Sequence, residues 1–176
     1  MVQGQNFDND TADRLIERQG RHLQSRRMNW FNRYTDAVYC VVRLTIGLMF
    51  ACHGGQKILG FPPSERGLAT NPTGLTAGWI ELSCGFLIAL GFLTRLAAFI
   101  ASGEMAVAYF LTSFSGKTLN HAPSVLERLL PVLNKGELPV LLCFIFLLVV
   151  FYGPGRWSID SLMNEKLRSA ATFSSS

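Results

Sequence analysis

Apolar positions crowd into four stretches, residues 37–52, 75–93, 96–114 and 138–152, with glycine, proline and charge collected between them. A helix that crosses a bilayer needs about 20 mostly apolar residues, and each stretch reaches that length or comes near it. The first and last are short as pure runs, but their flanks lengthen them. Trp30, Phe31 and Tyr34 lead into the first, and Gln56, Lys57 and Ile58 continue it on the far side. The fourth can begin near Asn134, because Asn134 and Glu137 stand at the spacing of a capping box and Pro139 then falls within the first turns, where it costs little. The pattern predicts an all-α, four-helix transmembrane bundle spanning residues 34–160. A soluble bundle of buried core helices is the competing reading.

Four polar residues interrupt these stretches. Arg43, Glu81 and Glu104 lie inside the first three, and His53 closes the first. A charge at membrane depth costs a few kcal/mol, roughly, even on the most lenient insertion scale, so such residues face a bundle interior and find partners there. Composition agrees: of 176 residues 49% are hydrophobic and 16% charged, and the mean hydropathy is +0.25.

Lysine and arginine set the orientation. With both termini cytoplasmic, the inside carries Arg14, Arg18, Arg21, Arg26, Arg27, Arg33, Arg95, Arg156, Lys166 and Arg168, and the outside only Lys57, Arg66, Lys117, Arg128 and Lys135. That imbalance is the positive-inside signature. The net charge of +4 is therefore topology and lipid contact, and no nucleic-acid-reading element accompanies it. Residues 1–33 form a polar, basic extension without the apolar core of a signal peptide. Leu15, Ile16, Gln19 and Leu23 give it a thin apolar face, for a surface or partner-binding helix or for a solvated segment ordered by a neighbour. Residues 161–176 read as a carboxyl-terminal tail, disordered from Ala170 onward.

The connections differ in size. Residues 91–95 make a tight inner turn, with Thr94 placed to cap the third helix. Two long outer loops, about 54–74 and 115–136, cover the other end, the first with Pro62, Pro63 and Pro72, the second with a short amphipathic stretch between Pro123 and Leu130. At 1.5 Å per residue, Arg43 lies roughly 9 Å and Glu104 roughly 12 Å from the inner boundary, and Glu81 roughly 9 Å below the outer one. Depth therefore allows an intramembrane Arg43–Glu104 ion pair. His53, Gln56 and Lys57 share a helical face and, with Glu81, make an outer polar cluster that His121 and Glu137 can join from the loop.

In order along the chain stand Arg43, the run from His53 through Gly54, Gly55 and Gln56 to Lys57, Glu81, Gly85, the run Gly91 to Arg95, the run Asn134 to Glu137, and the run Gly153 to Asp160 with sequence GPGRWSID. This series resembles the DoxX family of small four-helix membrane proteins, from about Arg43 to Asp160. In physical terms, Gly54 and Gly55 let the chain leave the first helix, Gly153 and Pro154 end the fourth, Arg156 and Trp157 anchor at the headgroups, and Asp160 caps or pairs locally. The resemblance implies a membrane subunit of thiosulfate:quinone oxidoreduction, a scaffold holding a sulfurtransferase and a superoxide dismutase at the membrane, or a part in thiol and disulfide maturation.

Cys40, Cys52, Cys84 and Cys143 form no Cys-x-x-Cys and sit in apolar helices, where cysteine acts as a small hydrophobe. No flavin, nicotinamide, haem-attachment or zinc pattern is present, so neither a metal nor a resident cofactor is expected. A haem between His53 and His121 is a poor fit because His121 is in a loop. A mobile quinone needs only an apolar slot and a donor or two, which His53, Gln56 and Lys57 can supply. Two functional readings remain. The favoured one is a non-catalytic subunit of a bacterial inner membrane that anchors or stabilises a larger redox or energy-converting complex of membrane proteins. The other is the quinone-reactive subunit of an oxidoreductase. A transporter ranks third, since no pair of broken helices is visible.

Overall fold

The computed structural model describes Arg14 and residues 34–63, 67–119 and 121–173. The expectations for the amino-terminal extension fall almost wholly outside these residues. The chain divides into two units, residues 1–38 and 39–176. The polar side chains of interest belong to the second. Every regular element among the described residues is helical.

Helix α1 runs Tyr34–Ile58, α2 Pro72–Leu90 and α3 Thr94–Ala108. A π-helical segment, Tyr109–Phe114, continues α3 without a break. Helix α4 is the single short turn Val125–Leu129, α5 is Glu137–Tyr152 and α6 is Ile159–Phe173. Three of these, α1, α2 and α3 with its π segment, are long and apolar enough to cross a membrane, and α5 is a shorter apolar helix of 16 residues.

Local chemistry explains most boundaries. Asn71 caps α2, its side chain accepting from Gly74 N at 3.1 Å, and Pro72 occupies the first position, where a missing N–H costs nothing. Gly91, at φ 73°, ends α2 by turning its own N–H and that of Phe92 back onto the Leu87 carbonyl. Only Gly91, Phe92 and Leu93 then separate α2 from α3, the tight turn expected. The capping box is not at Asn134. It lies at Ser124 and Glu127, opening α4, while α5 starts at Glu137 behind Gly136, with Pro139 in its first turn as expected.

Two kinds of packing hold the helices. Between α1 and α2 the contact is backbone to backbone. A Cβ placed on Gly54 would clash with the Leu82 backbone, and one on Gly85 with the Ala51 backbone. Gly54 therefore does not release the chain from α1, which continues to Ile58; it lets α2 approach. Small residues serve this purpose in membranes because lipid tails give helices no hydrophobic reason to associate, leaving close van der Waals contact as the attraction. Between α3 and α5 the buried alanines Ala97, Ala98 and Ala101 meet Leu142, Phe146 and Val149, and Phe146 packs at a tilt against Phe50 of α1 with ring centroids 4.7 Å apart. Large apolar side chains such as Trp79, Phe86, Phe99, Phe144 and Phe151 remain exposed on the periphery, as expected where lipid is the solvent. The tail expected from Ala170 is instead helical through Phe173.

Candidate functional site

The polar side chains inside the helices sort into two groups at opposite ends. At the end where α1 begins, Arg43 is buried, with 2% of its surface exposed. It does not pair with Glu104. Its guanidinium donates to the carbonyls of Pro154 and, at 2.8 Å, Trp157. Tyr39 adds a hydroxyl bond to the Gly153 carbonyl at 2.5 Å. A long side chain on a helix leans toward the helix amino terminus, so Arg43 reaches down to the segment that follows α5 rather than up to mid-membrane. Asp160, in the same segment, closes the arrangement. Its carboxylate accepts from Leu93 N, Thr94 N and Thr94 Oγ1 at 2.9, 3.0 and 2.9 Å, and its own N–H donates to the Gly91 carbonyl at 3.0 Å. The cap of α3 is thus Asp160, 66 residues away from Thr94, and not Thr94 itself. Burial works to raise the Asp160 pKa, but the Thr94 and Leu93 hydrogen bonds and the nearby Arg43 charge outweigh it and hold the carboxyl below its ordinary value. The run from Gly153 to Asp160 is a latch that ties α1, α2, α3 and α5 together.

At the other end lies a cavity of about 520 Å³. Helix α1 contributes Phe50, His53 and Lys57, which fall within about 60° of one another at 100° per residue. Gln56, on the flank of that stripe, is not among the lining residues. From α2 comes Glu81, with 3% exposure, whose Oε1 takes a salt bridge from Lys57 Nζ at 2.6 Å. Its Oε2 has no hydrogen-bond partner. Met105 and Ala108 of α3, Thr112 and Ser113 of the π segment, and Leu138, Pro139 and Leu142 of α5 complete the walls. The wider π turn follows from one extra residue per hydrogen bond, a distortion frequent at functional sites.

Glu104 belongs to this end. It is half-buried, its Oε2 also lacks a partner, and it lies within electrostatic reach of Glu81 and Lys57. The two loop residues expected to join do not. His121 is exposed and stands 3.6 Å from Glu127, whose carboxyl is held below its ordinary value chiefly by the Ser124 N–H and hydroxyl. Glu137 is exposed at the first position of α5, where a negative charge favours the helix dipole.

Lys117, Thr118 and Lys135 line the cavity instead, and sequence reading did not single them out as site residues. A fully buried Asn134 sets their position. Its side chain donates to the Tyr109 hydroxyl at 3.3 Å and the Arg128 carbonyl at 3.1 Å and accepts from Gly136 N at 3.0 Å, while its carbonyl accepts from Thr118 Oγ1 at 2.7 Å. The resemblance run from Asn134 to Glu137 held that signal: a polar residue there is the hub of two loops. No group of three or more potential metal ligands occurs among the described residues, and Cys40, Cys52, Cys84 and Cys143 are all free thiols.

Described residues that are helical throughout their regular elements, with three helices able to cross a membrane and a charged cavity between them, make this an integral membrane protein with an internal polar site. The DoxX family model matches residues 38–113. The chain is 37% identical over 142 residues to an uncharacterized protein of Haemophilus influenzae, covering 79% of this chain and 100% of that one. It is 32% identical to an uncharacterized membrane protein of Mycobacterium tuberculosis, over 74% of this chain and 83% of that one, and 27% identical to the inner membrane protein YqjF of Escherichia coli, over 74% and 95%. The chain belongs to the DoxX family. No solved structure matches it.

Proposed function

We propose that this chain is a membrane subunit of a redox assembly whose cavity receives the ring of a quinone or quinol. One observation carries the reading: Glu81 lines the cavity, is almost wholly buried, is bonded to Lys57 through one oxygen and keeps the other without a partner. A buried charge costs several kcal/mol, roughly, unless its geometry and remaining lone pairs are satisfied. A protein that served only to anchor others would gain nothing from holding one this way.

The residues fit the group. The volume falls in the range of small-molecule sites, about 300 to 1,000 Å³. Phe50, Met105 and Leu142 offer an apolar slot. Lys57 and His53 can donate to ring carbonyls, and Glu81 Oε2 can accept a hydroxyl proton. Interconversion of quinone and quinol moves two electrons and two protons; this chain's side chains bind and orient the ring and exchange protons, and a partner subunit supplies or takes the electrons. In this reading α1, α2, α3 and α5 all cross the bilayer, with both termini cytoplasmic in a bacterial inner membrane, as the lysine and arginine distribution favours. Anchoring within a larger complex is the companion role, supported by the exposed Val125, Leu126 and Leu129 of α4.

The test is binding. Quinone extracted from gently purified protein should be present in stoichiometric amount, and a short-chain quinone should bind saturably to the protein in nanodiscs. Glu81→Gln and Lys57→Met should each weaken that binding by about tenfold or more, roughly 1.4 kcal/mol. Absence of co-purified quinone together with no saturable binding removes the proposal.

A further inference from the structure

Helix α6 presents an apolar face that no other part of the described protein covers. At 100° per residue, Ile159, Leu162, Met163 and Leu167 fall within an arc of about 140°. Leu162 and Leu167 are 60% and 65% exposed, and Met163 47%. Ser161, Asn164 and Glu165 lie on the other side.

The latch fixes where this face sits. Six residues separate the end of α5 at Tyr152 from the start of α6 at Ile159. The carbonyls of Gly153, Pro154 and Trp157 are held by Tyr39 and Arg43, and Asp160 is bonded to the α2–α3 turn. Helix α6 therefore starts at the level where the membrane-length helices α2 and α3 are joined, which is where the hydrocarbon must end. Ser161, half-buried where the arc residues are exposed, stands about 170° from the centre of the apolar arc, so the arc faces away from the protein. Exposed Trp157, two residues before α6, and exposed Leu93, which is bonded to Asp160 at the α3 start, carry the same apolar border along the helix ends.

We propose that α6 is an interfacial helix, its Ile159, Leu162, Met163 and Leu167 face embedded at the headgroup–acyl boundary of the leaflet at which α5 ends. A strongly amphipathic helix of low net hydrophobicity with basic residues is the kind that lies in that plane. Lys166 falls within the apolar arc, where its four-carbon stem lies along lipid while the ammonium reaches the headgroups, and its charge favours a leaflet containing anionic lipid. The occupant of this face is thus the bilayer surface, and not a second copy of the chain or a soluble partner.

Photocrosslinking in the full-length protein decides between them. A benzophenone amino acid is placed singly at Leu162, Met163 or Leu167, and for comparison at Ser161, Asn164 or Glu165, with the protein in vesicles of phosphatidylethanolamine and phosphatidylglycerol. Mass spectrometry should find phospholipid adducts several-fold more abundant at the first three positions than at the second. The first three lie outside the core, so folding is retained, which thermal unfolding checks independently. Equal adduct yield on both faces, or adducts to protein in place of lipid at Leu162, Met163 and Leu167, overturns the proposal.

Discussion

Replacing Asp160 by alanine isolates the energy of the latch. The carboxylate receives three hydrogen bonds from two residues whose access to water differs. Leu93 is 51% exposed, so its N–H can turn to water once the cap is gone. Thr94 is 0% exposed, so its N–H and hydroxyl lose their acceptor with nothing to replace it. Loss of an N-terminal cap costs about 0.5 to 2 kcal/mol, and a buried donor left unsatisfied costs about 1 to 3 kcal/mol. The two estimates overlap because the cap is one of these bonds, and Asp160→Ala should destabilise the protein by about 2 to 3 kcal/mol. Thr94→Val in the alanine background removes one stranded donor and should recover about 1 kcal/mol. Reversible unfolding in mixed detergent micelles measures both. The pH dependence supplies a further check. A folded-state pKa held below the ordinary value of about 3.9 means the charged cap contributes fully above that pH and fades as pH falls through the folded value. The gap between the native protein and Asp160→Asn should hold from about pH 7 to about 5 and close as the pH drops below about 4. Asp160→Ala within about 0.5 kcal/mol of the native protein, the scale of an unimportant surface change, would refute the reasoning.

At the α1–α2 contact, Gly54→Leu or Gly85→Leu places a side chain on opposing backbone and should cost more than about 3 kcal/mol, more than ordinary overpacking, with loss of folded yield on size exclusion. Gly103, where a Cβ meets nothing within 4 Å, is the control: Gly103→Ala should be neutral or add up to about 1 kcal/mol. Arg43→Leu strands the Pro154 and Trp157 carbonyls, and because Glu104 is not its partner, adding Glu104→Gln should not rescue yield; recovery by that second change would restore the ion pair. Lys57→Met should cost about 3 to 5 kcal/mol by leaving Glu81 charged and unpaired, and Lys57→Met with Glu81→Met should recover most of it; additive losses in the double variant would show that the pair is not coupled.

What the sequence determined by itself was the placing of the long apolar helices, which depends on short-range pattern. Apolar runs of membrane length follow from the cost of exposing backbone and charge to lipid, so the apolar helices and the α2–α3 turn could be read directly, whereas α6, which is not an apolar run, was read as a tail. Lys57 and Glu81 were also legible, because depth along a helix is linear in residue number and both had to lie near the same boundary. The choice of partners was not. Arg43 and Glu104 had compatible depths, yet the direction in which each side chain leans, and the return of the chain after α5, gave Arg43 the carbonyls of Pro154 and Trp157 and left Glu104 beside Glu81. Gln56 shares a helical turn with His53 and Lys57 but misses the cavity, because rotation of α1 about its own axis is set by the close approach of Gly54 and Gly85. Lys117 and Lys135 come from loops with no periodicity, and only Asn134, bonded to Tyr109, Arg128, Gly136 and Thr118 at once, brings them to the same wall. Helical spacing tells which residues lie on one face; which face looks at what is decided when backbones touch, and that is a property of the packed helices rather than of any one of them.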